Sequence, residues 1–206
     1  MITAKAPKTK WLESFFERGL LAGSAYQLEK QSKACKLDQN ESPFDWPQTV
    51  KEAVCQKLLS CQWNRYPEAY AKELEELIAH YSKVTKEHVL LSPGSNVLIS
   101  LILTYLSPKV EDKIVTLSPS FPLFAEHLIK TGKEIFLWQL RKKDFSFDID
   151  RITISSQKRS LIIFASPNNP TGSSLATKDL ETLLCRYPNS YVIADEAYFE
   201  FTKESY

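Results

Sequence analysis

The chain has 206 residues, 43% hydrophobic and 25% charged, and its 26 basic and 25 acidic residues leave a net charge of +1. That length buries the core of one large domain, or of one domain with an appendage. The balanced charge offers neither a basic patch for nucleic acid nor an acidic tail, and no apolar run reaches the roughly 18 residues of a membrane span.

The N-terminal stretch MITAKAPKTKWLESFF has no apolar signal core, so a cytoplasmic protein is expected. Cys35, Cys55, Cys61 and Cys185 are scattered, form no CxxC pair and have no histidines at ligand spacing. They read as buried or incidental free thiols, and no metal site is expected.

In chain order, KWLESFFERGLL carries a helical stripe at Trp11, Leu12, Phe15 and Phe16. Residues 1–36 are expected to be a helical arm and its connection, and 37–206 a larger domain. KLDQNESPFDWP is rich in turn formers, and Pro47 suits the first turn of a helix running to about Cys61. ELEELIAHY spaces Leu74, Leu77, Ile78 and Tyr81 as one helix face.

From there strands and helices alternate. HVLLS reads as a short strand, and SNVLISLILTYL as a helix apolar enough to be buried. DKIVTL is a strand, and PLFAEHLIKTG a helix closed by Gly132. EIFLWQL and SLIIFA are strands, KDLETLLCRY is a helix and SYVIA a strand. This alternation predicts an α/β fold, a mostly parallel sheet with helices on both faces. Ligands of such sheets sit at the carboxyl ends of the strands.

Four strand ends carry chemistry. PGSN opens the apolar helix, with Ser95 as a candidate N-cap, and its free N–H groups suit a phosphate. PSFPLF sets Phe121 where a ring can lie flat on a planar ligand. In SPNNPTG two prolines fix the backbone, so that Asn168 or Asn169 can point an amide into the crevice. In DEAY, Asp195 ends an apolar strand and needs a donor or cationic partner, and Tyr198 follows it closely. Each piece has an ordinary alternative: a capped helix, a core aromatic, a local Asn turn, a salt-bridged Asp. Together they form a phosphate cradle, a stacking ring, a fixed amide with a phenol, and a carboxylate for a ring nitrogen. That set matches pyridoxal 5′-phosphate.

The chain resembles the fold-type I enzymes that use this cofactor, specifically class I/II aminotransferases of the histidinol-phosphate aminotransferase type. The resemblance runs over about residues 35–206 and rests on LDQNESPF, NRYPE, PGSN, PSFP, SPNNPTG and DEAYFEF in that order. It implies that Asp195 pairs with the pyridine nitrogen, that Tyr198 and Asn169 contact the 3′ oxygen, and that Phe121 stacks on the ring. It further implies that Gly94, Ser95 and Asn96 bind the phosphate. Tyr66 would reach the phosphate of a neighbouring subunit in a homodimer, and Asn40 would lie near an amino-acid or amino-phosphate substrate that exchanges its amine with a 2-oxo acid.

Asn96 and Phe121 depart from the acidic residue and the tyrosine usual in that family. The Schiff-base lysine implied by the resemblance falls beyond Tyr206, and Lys203 sits too close to Asp195 to replace it. The expectation is therefore an N-terminal fragment covering part of the large domain and inactive by itself. A threonine-phosphate decarboxylase shares these motifs, and a non-catalytic interaction segment is a second alternative. A nucleotide-binding domain is disfavoured, because neither GxGxxG nor GxxxxGK[ST] is present.

Overall fold

The computed structural model describes residues 39–202 and 205–206. These fall into two compact units, one up to Leu91 and one from Ser92 onward. The expected arm with Trp11 to Phe16 lies outside the described residues, as does Cys35. Cys55, Cys61 and Cys185 are free and exposed.

The first unit holds α1 (Gln48–Leu59) and α2 (Lys72–Ser82). Pro47 takes the cap position of α1, one place ahead of the expected first turn. Its ring leaves one orphan donor fewer at a helix start. Of the apolar stripe expected on α2, Ile78 is half-buried while Leu74, Leu77 and Tyr81 are exposed, and the buried residue of the helix is Ala79, outside that stripe.

The expected strand at HVLLS does not form. Lys86–His88 make a 3₁₀ turn, and the Val89 amide donates back to Lys86 rather than across a ladder. An apolar run becomes a strand only where another strand edge accepts it. Here the chain leaves one unit for the other, and Leu90 stays exposed.

The second unit is the α/β layer. Its elements in order are α3 (Ser95–Leu106), β1 (Ile114–Ser118), α4 (Pro122–Ile129), β2 (Ile135–Gln139), β3 (Leu161–Ala165), α5 (Thr177–Arg186), β4 (Tyr191–Asp195) and the short α6 (Phe199–Thr202). The strands pair in the order β2-β1-β3-β4, and every pairing is parallel. β3 is apolar throughout and buried at all five positions. A central parallel strand covered on both faces should read that way.

Alternate side chains of each strand feed opposite cores. Val115, Leu117, Ile162 and Phe164 pack with Trp138 and with Leu183 of α5. Ile114, Leu161 and Ile163 pack with Ile99 and Leu103 of α3 and with Phe124 and Leu128 of α4. Helices therefore cover both faces, as the alternation predicted.

α3 is less buried than its composition suggests. Ile99 and Leu103 meet the sheet, whereas Val97, Leu101 and Tyr105 are 43%, 56% and 67% exposed. A helix can lay only one stripe on a sheet, and no described element covers the opposite stripe.

From β1 the sheet extends to β2 on one side and to β3 on the other. This reversal opens a crevice at the carboxyl ends of the strands. Ala165 is level with Asp195 there.

Candidate functional site

The turns after β1, β3 and β4 meet the start of α3 around one cavity of about 120 Å³. Ser95, Phe121, Asn169, Asp195 and Tyr198 line it together with Pro167. These residues come from four separate segments, and each follows a strand or opens a helix.

The cap of α3 is Gly94, not Ser95, and its φ is +90°. A residue with a Cβ is strained in that conformation, whereas glycine adopts it freely. Ser95 is thus the first helical residue rather than the cap. No side chain caps this end, so the first-turn N–H groups remain available to a ligand. The helix dipole adds partial positive charge at the same place.

The Asn96 side chain is engaged elsewhere: its Oδ1 lies 2.7 Å from His127 Nε2 on α4. Burial, followed by the charge of Lys130, holds the His127 imidazole below its ordinary pKa, and Glu126 opposes this. Phe121 is half-buried at the entrance to α4 and meets Phe124 edge to face at 6.0 Å.

The two asparagines of SPNNPTG divide their work. Asn168 is 2% exposed. Its Oδ1 accepts from Ser120 Oγ at 2.7 Å, and its Nδ2 donates to the Pro119 carbonyl at 3.0 Å and to Thr171 Oγ1 at 2.8 Å. Its backbone N–H donates to the Ser173 carbonyl, and its own carbonyl accepts from the Gly172 N–H. Asn168 therefore ties the turn after β3 to the turn after β1, with both amide hydrogens donated, and does not line the cavity. Asn169 is half-buried and faces the cavity. The peptide bonds before Pro119, Pro167 and Pro170 are cis.

A direct test separates the two. Asn168→Ala removes a buried amide together with its bonds to the half-buried Ser120 and Thr171 hydroxyls and to the Pro119 carbonyl, and is expected to cost about 1–3 kcal/mol. Asn169→Ala is expected to leave the urea midpoint unchanged. The reverse order of effects would exchange their roles.

Asp195 ends β4 half-buried, with Oδ1 accepting the Ala197 N–H at 3.1 Å. Burial raises its pKa above the ordinary value, and the Ala197 bond only partly offsets that. No cationic side chain among the described residues lines the cavity. A carboxylate in such surroundings is short of a positive partner.

Asn40 and Tyr66 lie in the other unit, and both are exposed. Sequence reasoning missed His127, for which no local signal exists, and left Asn168 and Asn169 as alternatives before favouring Asn169.

A family model described as aminotransferase class I and II matches residues 32–206. The chain belongs to that family. A relative named histidinol-phosphate aminotransferase, from Chlorobium phaeovibrioides, is 35% identical over 185 residues, which are 88% of this chain and 50% of the relative. This member of the aminotransferase family thus spans about half the length of the curated relatives it matches.

Among solved structures, an aromatic aminotransferase from Pyrococcus horikoshii is 26% identical at a TM-score of 0.66, covering 78% of this chain and 46% of that one. An L-threonine-O-3-phosphate decarboxylase from Porphyromonas gingivalis shares the fold at a TM-score of 0.61 and 20% identity, over 76% of this chain and 43% of that one. Aminotransferase and decarboxylase thus stand on one scaffold, so the fold by itself does not choose between their reactions.

Proposed function

We propose that this chain forms the pyridoxal 5′-phosphate-binding part of an aminotransferase that acts on histidinol phosphate or a similar amino-phosphate, with a 2-oxo acid as the other partner. The reading is carried by the convergence of an uncapped helix N-terminus, an aromatic face, an amide, a phenol and a cation-seeking carboxylate on one cavity. The relatives named histidinol-phosphate aminotransferase support the substrate assignment.

The donor set fits the cofactor group by group. First-turn N–H groups of α3 at Ser95 and Asn96, with Gly94 allowing close approach, hold the phosphate. The Phe121 ring packs on the cofactor ring. The Asn169 amide and the Tyr198 hydroxyl take the 3′ oxygen. The Asp195 carboxylate holds a proton on the pyridine nitrogen, which relieves its own shortage of a positive partner.

Pyridoxal 5′-phosphate supplies an aldehyde carbon that takes up the substrate amine and a ring that withdraws electrons from it. Asp195 would keep that ring cationic, Phe121 would offer it an aromatic face, and Asn169 with Tyr198 would hold its 3′ oxygen. Tyr66, fully exposed, suits a role at a second copy's phosphate, and Asn40 one at the substrate. The uncovered Val97, Leu101 and Tyr105 stripe is consistent with a homodimer.

Calorimetry on the purified chain tests the site. The expected result is tighter binding of pyridoxal 5′-phosphate than of pyridoxal, with inorganic phosphate competing. Equal affinities would remove the α3 cradle from the reading. Substrate choice is tested by assaying the whole protein for amine transfer from histidinol phosphate to a 2-oxo acid.

A further inference from the structure

The turn entering α3 carries the proposed anion contacts; behind it Ile99 and Leu103 pack the helix on the sheet, while few hydrogen bonds hold the turn itself. Gly94 places no side chain on its neighbours, and no side chain caps the helix. Ser92 Oγ donates to the Gly94 carbonyl at 2.6 Å, and the Gly94 N–H donates to the Ser92 carbonyl at 2.7 Å. These bonds tie the turn to itself and to nothing else. The link to a neighbouring element is made by Asn96, in the first turn, whose Oδ1 lies 2.7 Å from His127 Nε2, 31 residues away.

His127 rides on an anchored helix. Phe124 and Leu128, on the same helix, are 1% and 0% exposed in the core against the sheet. We propose that His127 is a positioning residue: by holding Asn96 it fixes the first turn of α3 in the orientation that presents its N–H groups to an anionic group in the cavity. This rests on the assignment of that turn as a phosphate cradle.

The imidazole acts through one donor. With its proton on Nε2 it donates to Asn96 Oδ1, and its depressed pKa keeps it neutral near pH 7. A neutral donor orients the amide without competing for the anion as a charge would. The contact is therefore defined by the position of one nitrogen, which side chains of different reach can mimic or miss.

The experiment measures the affinities of pyridoxal 5′-phosphate and of pyridoxal for the parent chain and for His127→Leu, His127→Gln and His127→Asn. His127→Leu is expected to lose about tenfold for the phosphate ester, the equivalent of one modest hydrogen bond, and nothing for pyridoxal. Gln places its amide nitrogen near the Nε2 position and is expected to keep parental affinity. Asn reaches only the Nδ1 position and should behave like Leu, so the Gln–Asn pair decides the matter even where the Leu variant fails to fold.

Unchanged phosphate-ester affinity in His127→Leu or His127→Asn would overturn the proposal. So would a Gln variant as weak as the others, or an equal loss for both ligands. A parent chain with no preference for the phosphate ester would instead overturn the cradle itself, and this inference with it.

Discussion

Asp195→Asn is expected to weaken pyridoxal 5′-phosphate binding by about 10- to 100-fold while making the ligand-free chain more stable at neutral pH. The two effects have opposite signs because they share one cause. Burial raises the folded-state pKa of Asp195, so the folded chain holds this proton to higher pH than the unfolded chain does. The contribution to stability is therefore most favourable below the unfolded value and is lost as pH rises through the folded one. At neutral pH the ionised, half-buried carboxylate is a cost that Asn does not carry.

A cationic ring nitrogen reverses this balance. On the proposed assignment it would pair with the ionised carboxylate, and a hydrogen bond between charged partners is worth about 1.5–3 kcal/mol, which corresponds to the stated loss of affinity. Asn keeps an oxygen for the Ala197 N–H, so the local turn survives and only the charge is removed. The parent chain should bind less tightly as pH falls through the raised Asp195 pKa, and Asp195→Asn should lack that acid limb. Calorimetry across pH and a thermal melt at pH 7 check both halves. An Asn variant with parental affinity, or one that melts lower without ligand, would count against the assignment.

The strand ends could be read from the sequence because polar residues stand out against apolar runs. Asp195 after YVIA and the asparagines after LIIFA are such cases, and the sheet that aligns them follows from the alternation of elements. What the sequence left undecided depends on contacts between distant residues. Asn168 and Asn169 are chemically identical and adjacent. Only Ser120 and Pro119, delivered by the turn after β1, make the first structural and leave the second to face the cavity.

The same holds for Asn96. Its side chain has a partner 31 positions away, and no local pattern announces a pair across two helices. HVLLS misled for a related reason. Its composition suits a strand, but strand formation depends on an accepting edge, and the run lies where the chain passes between two units.

Phe164→Ala is expected to destabilise the chain by about 3–5 kcal/mol, the range for truncating a large buried aromatic. Phe164 is fully buried in the central strand β3. Its ring meets Trp138 at 6.1 Å, Phe147 at 6.1 Å and Tyr206 at 6.4 Å, each in an edge-to-face arrangement. Those three rings are held by separate segments, and Trp138 is further fixed by its Nε1–H bond to the Asp148 carbonyl at 2.8 Å. The wall therefore cannot collapse into the space left, and lost contacts add to lost transfer energy.

Phe164→Leu fills most of that space and is expected to cost less than half as much. Domains are stable by only about 5–15 kcal/mol in all, so the Ala variant should shift its urea midpoint far toward water. The strand ends one residue before SPNNPTG begins, yet Phe164 does not line the cavity. Its loss should thus weaken cofactor binding only through the fraction of chain unfolded, and saturating pyridoxal 5′-phosphate should recover the folded population by mass action. Asp195→Asn should show the opposite pattern: a chain fully folded without ligand, whose affinity stays low at every temperature below its melt. An Ala variant within 1 kcal/mol of the parent would show that this aromatic cluster does not hold the sheet together.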